Sequence, residues 1–168
     1  FWGNNFSKMT DGMSKDIHYV FTFNALMTRN RISKWERNLS ENCKFCLGNG
    51  TNEKETNLHA ILFCNRISEL WEKMRKLFQR FDFILTKEMK IFGLANREKN
   101  AEKSILNASI QIAQKSIWIT RKEYENNDKI LDIWKCFKTT IGKILKMYKS
   151  YGDIGENIEN FIKKLNEV

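Results

Sequence analysis

The stretch Cys43-Lys44-Phe45-Cys46, followed by His59-Ala60-Ile61-Leu62-Phe63-Cys64, decides how this chain is read. Its spacing is C-x2-C-x12-H-x4-C. Two cysteines separated by two residues can share a tight knuckle with both sulfurs turned inward. The loop between the pairs, with Gly48, Asn49 and Gly50 as turn formers, brings the chain back with the second pair. Thiolates and imidazole are the donors zinc takes in a tetrahedron, so Cys43, Cys46, His59 and Cys64 are expected to hold one zinc ion. Four protein ligands leave no open position for water, which makes the expected site structural and not catalytic. His59 and Cys64 lie five residues apart, roughly 140° around an ideal helix. They cannot both face one metal from mid-helix, so His59 is expected in a short helix and Cys64 at or past its end. A thioredoxin-type reading of the CxxC needs a βαβ setting, and none surrounds it.

Outward from this stretch the apolar pattern is helical, and the chain contains no proline to interrupt it. Ser14 to Asn38 reads as helix, with Asn30 and Ser33 marking a break before a second short helix holding Ile32, Trp35 and Leu39. Glu41 to Glu55 reads as loop. Ile67, Leu70, Trp71, Met74, Leu77, Phe78 and Phe81 recur at three- and four-residue steps and predict an amphipathic helix. Asp82 to Gly93 reads as a connector with short extended pieces. Between Asn100 and Tyr124, isoleucines and Leu106 cover much of one helix's girth, which predicts a central buried element. Asn126, Asn127 and Asp128 form a turn, Ile130 to Tyr148 a further helix, and Gly152 and Gly155 a break before a last helix near Ile158 to Leu165.

The expected fold is therefore mostly α: a small zinc knuckle module packed on helices, followed by a C-terminal helical bundle. Residues 1–14 are expected to be a ragged flank, 15–81 the basic helices with the zinc module, and 82–168 the C-terminal helical region. His18 is read as structural and Cys136 as a buried apolar residue.

Composition bounds the function. Apolar residues make up 42% of the 168, a globular and not a disordered proportion. No apolar run approaches the ~20 residues of a membrane span, so no membrane is expected as a partner. The first ten residues lack the layout of a signal peptide. Clustered cysteines beside a histidine suit a reducing compartment, so the expected location is nuclear or cytoplasmic and not secreted. The chain begins with Phe1, which raises the expectation of a piece of something longer. The net charge of +9 points to a polyanion, nucleic acid first. No paired aspartates of a polymerase palm, Gly-rich phosphate loop or nucleophile elbow is found, and Glu69, Glu72, Glu98, Glu102, Glu123 and Glu125 read as solvated helix faces. Neither catalysis nor a small-molecule substrate is expected.

Residues around the ligands carry a resemblance. Thr28-x-x-Arg31-Ile32-x-Lys34-Trp35, the CxxC of Cys43 and Cys46, Glu55-Thr56-x-x-His59-x4-Cys64, Trp71, Phe92-Gly93 and Ile117-Trp118-x-x-Arg121 together resemble the zinc-binding region that follows the reverse transcriptase domain of non-LTR retrotransposon polyproteins. The resemblance spans about Phe21 to Arg121, and its central third is the specific part. The loop before His59 is longer than usual in that family, and Ala60 stands where leucine is common. The resemblance implies an upstream reverse transcriptase domain and a nucleic-acid partner, element RNA or target DNA. Within it, Thr56 is expected to cap the helix presenting His59. Glu55 is expected to support the N-terminus of that same helix, to accept the second imidazole N–H of His59, or to be a solvated loop acid. Trp71 is expected in the core. Trp35, among basic residues, suits either stacking on single-stranded nucleic acid or core packing. Phosphate contacts are expected from Arg29, Arg31, Lys34, Arg37, Lys44, Lys73, Arg75 and Lys76. The competing expectation is a structural or protein-interaction module in which zinc only fixes helix orientation and the basic faces are ordinary solvation.

Overall fold

The computed structural model describes residues 10–48, 50–95, 100–148 and 155–168. The expected flank over residues 1–9, the turn former Asn49, Glu98 and the break at Gly152 lie outside them.

Helix α1, Gly12–Thr22, opens where the Asp11 side chain accepts the Ser14 backbone N–H at 2.8 Å. It buries Ile17, His18 and Phe21. The fold thus begins earlier than residue 15: Ser14 is fully buried, and Thr10 donates to Gln111 Oε1 at 2.8 Å. The helical pattern does not continue to Asn38. Asn24 adopts φ 54°, a left-handed conformation asparagine tolerates, and this breaks the chain six residues before Asn30. The next element is a single turn, α2, Arg29–Ile32, preceded by Thr28 in an extended conformation.

The metal-binding segment is built from short pieces. Asn42 and Lys54 form an isolated antiparallel bridge that closes the loop between them. Within it lies α3, Lys44–Leu47. His59–Phe63 forms a wide π-type turn, in which the Cys64 N–H reaches back five residues to the His59 carbonyl at 2.9 Å. A 3-10 turn, Asn65–Ile67, leads into α4, Ser68–Gln79, which buries Leu70, Trp71, Met74, Leu77 and Phe78 as its periodicity predicts.

The connector after α4 holds a helix in place of extended pieces. This is α5, Lys87–Phe92, started by Thr86 Oγ1 accepting the Met89 N–H at 3.2 Å and stopped by Gly93 at φ 77°. Helix α6, Ala101–Asn127, is the central element. It packs against α1, the wide turn, α7 (Ile133–Tyr148) and α8 (Gly155–Asn166). Helix α7 starts later than Ile130 because Asp132 Oδ1 accepts the Lys135 N–H at 2.9 Å and caps it there. Cys136 on α7 is half-buried and not fully enclosed.

One apolar cluster runs from Phe21 to Leu165 and includes Cys43, Cys46 and Cys64. Phe81 and Phe161 stack at 5.7 Å between centroids, so residues 15–81 and 82–168 share that core. His18 is structural: its Nδ1 lies 2.8 Å from Gln114 Oε1, and burial holds the imidazole below its ordinary value against that hydrogen bond. Among the described residues the secondary structure is helical apart from the one bridge. No described helix is long and apolar enough to cross a membrane.

Candidate metal centre

Each of the four sulfur and nitrogen ligands arrives on a different local device. Cys43 sits just before α3, with its N–H held by the Glu53 carbonyl at 2.8 Å, and Cys46 lies one turn on, within α3. Gly50, at φ 75°, turns the loop, and Thr51 N–H and Oγ1 both bond the Cys46 carbonyl. Thr56 Oγ1 accepts the His59 N–H at 3.1 Å, the cap expected of it. Cys64 is the first residue past the wide turn, in an extended conformation, as the five-residue spacing requires.

These devices bring the four ligand atoms within 4.8 Å of one another, and all four residues are buried. Cys43 Sγ and Cys64 Sγ are 3.8 Å apart, Cys46 Sγ and Cys64 Sγ 3.6 Å, and Cys46 Sγ and His59 Nε2 3.4 Å. Disulfide sulfurs lie at ~2.05 Å, so these cysteines are free. A tetrahedral ion with metal–sulfur bonds of ~2.3 Å and metal–nitrogen bonds of ~2.0–2.1 Å has edges of ~3.8 Å between sulfurs and ~3.5 Å between sulfur and nitrogen. These three separations match those edges and all six lie within 4.8 Å, so the four residues could hold a metal ion.

The electrostatics point the same way. The hydrogen bond from Cys64, helped by His59 and Arg121, pulls the Cys43 thiol down to about 2 against the effect of burial. Burial and the charge on Cys43 push Cys46 up; the hydrogen bond to Cys43 and then burial push Cys64 up. A bound divalent cation removes that conflict, because it is the largest local charge and stabilises every thiolate it touches.

A residue outside the expected set completes the centre. Arg121, on α6 and 1% exposed, places Nη1 3.1 Å from Cys43 Sγ and 2.7 Å from Glu55 Oε2, and Nη2 3.2 Å from the Ala60 carbonyl. Its guanidinium lies over the Phe45 ring at 4.7 Å. Burial opposes its charge, but Glu55 and Cys43 outweigh burial and hold it protonated above the ordinary value. Glu55 is fully buried; burial pushes its carboxyl up, against the guanidinium of Arg121 and the Arg29 N–H. Its other oxygen accepts that Arg29 N–H at 3.0 Å, so Glu55 supports the start of α2 and reaches the metal ligands through Arg121, not through His59. The sequence signal for Arg121 is its place one turn after Ile117 on an apolar face, the last residue of Ile117-Trp118-x-x-Arg121. Trp71 is buried and donates to the Ile61 carbonyl at 2.7 Å, tying α4 to the wide turn.

The expected phosphate-binding cations divide into two groups. Lys44 Nζ lies 2.5 Å from Asp128, Lys73 2.6 Å from Glu69, and Arg75 bonds Glu72 through two nitrogens. These three are neutralised locally. Arg31, Lys34, Arg37 and Lys76 form no ion pair within the described residues, and neither does Arg29, whose Nε donates to the Ser40 carbonyl. Trp35 is 64% exposed, which removes the core-packing reading. Arg31, Lys34 and Trp35 line one open polar groove of about 320 Å³ with Asn24, Thr28, Asn30, Thr56 and Asn57.

Comparison of the chain with protein-family models, curated proteins and solved structures finds no match.

Proposed function

We propose that this chain is a zinc-stabilised, non-catalytic nucleic-acid-binding segment that follows the reverse transcriptase domain of a non-LTR retrotransposon. Zinc is the ion that a closed Cys3His set of soft donors with these edge lengths suits. The observation that carries the binding reading is the surface beside that centre. There Arg31 and Lys34, which form no ion pair among the described residues, line a groove with an exposed tryptophan. Cations without internal carboxylates are available to phosphates, and the indole face is available to a base. In this role the segment grips element RNA or target DNA and positions it for an upstream polymerase. A salt titration of single-stranded RNA binding tests the reading. Affinity should fall steeply as salt rises, and absence of binding at low salt would sink it.

A second reading has its own support. Lys44, Lys73 and Arg75 are spent on internal carboxylates, as expected of a module whose basic faces serve only its own fold or a protein partner. Charge reversal at Arg31 and Lys34 separates the two. It abolishes RNA binding under the first reading and leaves it unchanged under the second.

A further inference from the structure

The groove at α2 has features that generic phosphate attraction does not need. Asn57 lines it, is 6% exposed, and its enclosed Nδ2 has no hydrogen-bond partner among the described residues. A buried amide donor left unpaired is costly, and a ligand acceptor within reach relieves that cost. Arg31 is not a loose surface cation: its Nη1 donates to the Asn24 carbonyl at 3.1 Å, which fixes the guanidinium at the groove's edge. Trp35 presents its ring to solvent beside it. The volume, about 320 Å³, sits at the small end of ligand sites and suits one nucleoside, not a length of duplex.

We propose that this groove is a single-nucleotide subsite that takes one unpaired base of a single strand. The base stacks on Trp35, an acceptor on its edge takes the Asn57 amide, and Arg31 and Lys34 hold the flanking phosphodiester. This rests on the nucleic-acid reading above and goes beyond it, because it assigns part of the affinity to a base and not to the backbone. Stacking is tolerant of base identity, since every base offers a π-face, so Asn57 supplies whatever discrimination the groove has. Paired bases cannot enter, because their faces are covered by neighbours in the stack.

The test uses the full chain with zinc and two labelled eight-nucleotide RNAs, one ordinary and one abasic at every position. The ordinary strand should bind more tightly than the abasic one. Trp35→Ala should weaken the ordinary strand by about 5- to 150-fold, the equivalent of one lost base stack, and leave the abasic strand unchanged. Trp35→Phe should restore most of the loss, and Asn57→Ala should again weaken only the ordinary strand. Equal binding of both RNAs by the unaltered protein, or equal weakening of both by Trp35→Ala, overturns the subsite while the salt-dependent backbone reading stands. If neither RNA binds at low salt, both proposals fall. Trp35 is exposed, so its variants should keep the parent's circular dichroism and metal content.

Discussion

Replacing Arg121 by methionine removes a buried cation and keeps most of its bulk. Glu55 would then lie fully enclosed with only the Arg29 N–H on one oxygen, Cys43 Sγ would lose its charged donor, and the Ala60 carbonyl would lose its partner. Breaking a buried ion pair from one side costs about 3–5 kcal/mol, because the remaining charge is uncompensated. For a chain of this size that lowers the melting temperature by roughly 6–20 °C. Urea denaturation at saturating zinc measures it, with m-values checked for a common unfolded state. The double variant Glu55→Gln/Arg121→Met removes both charges and should cost at least about 2 kcal/mol less than the sum of the single variants. The pH dependence adds a signature. Without the guanidinium, only the Arg29 N–H opposes the burial that raises the Glu55 carboxyl. A raised folded value means proton uptake stabilises the fold at low pH and is lost as pH rises, so the deficit of Arg121→Met should narrow as pH falls toward the ordinary carboxylate range. A cost below about 1 kcal/mol, or additive single and double variants, would refute the claim that Arg121 and Glu55 act as a coupled buried pair.

Chelation of the metal should strip amide protection from residues 41–66, where the ligands fix short elements with little regular structure, and spare Phe137 to Leu145 on α7. Hydrogen exchange reads this directly, and unchanged protection over 41–66 would show that metal and fold are uncoupled. His18 is held neutral by burial, so its stability contribution is complete above the unfolded value of ~6.5 and declines as pH falls toward its depressed folded value. The urea midpoint should drop over that range, and His18→Gln should flatten the drop. Phe137→Ala should cost about 3–5 kcal/mol because the ring is fully buried on α7. Thr56→Ala should cost about 1 kcal/mol and weaken metal affinity by loosening the His59 turn, measured by competition with a chromogenic chelator.

The parts of this fold legible in the sequence are those governed by local spacing. Helix α4 is set by its three- and four-residue apolar steps, and the four ligands by a spacing that a tetrahedron constrains. Two helix boundaries escape the periodic pattern because single residues decide them. Asn24 ends α1 by adopting a left-handed conformation, and Asp132 delays α7 past Ile130. The connector reads as extended because Phe83, Ile84 and Leu85 carry no helical period, while the signal that starts α5 is one hydroxyl on Thr86. At the site, the pairing of Lys73 with Glu69 and of Arg75 with Glu72 is readable from helical offsets. The pairing of Lys44 with Asp128 and of Arg121 with Glu55 is not, since tertiary packing alone brings such distant residues together.

The wide turn at His59–Phe63 makes pitch a harder constraint on this stretch than identity. It holds one residue more per turn than α pitch, and that residue carries Cys64 around to the side where His59 points. Wound at α pitch, the same five steps would put Cys64 about 140° around from His59. The thiol would then point away from the other three ligands. Exchanging Leu62 or Phe63, neither of them fully buried, for another apolar residue leaves that rotation untouched. The loop at Gly50 to Glu53 is exposed, yet it steadies the first pair: Thr51 bonds the Cys46 carbonyl and the Glu53 carbonyl holds the Cys43 N–H. Variation here is therefore free in side chain but rigid in backbone path, at the exposed loop that steadies the first pair as at the turn that presents the second.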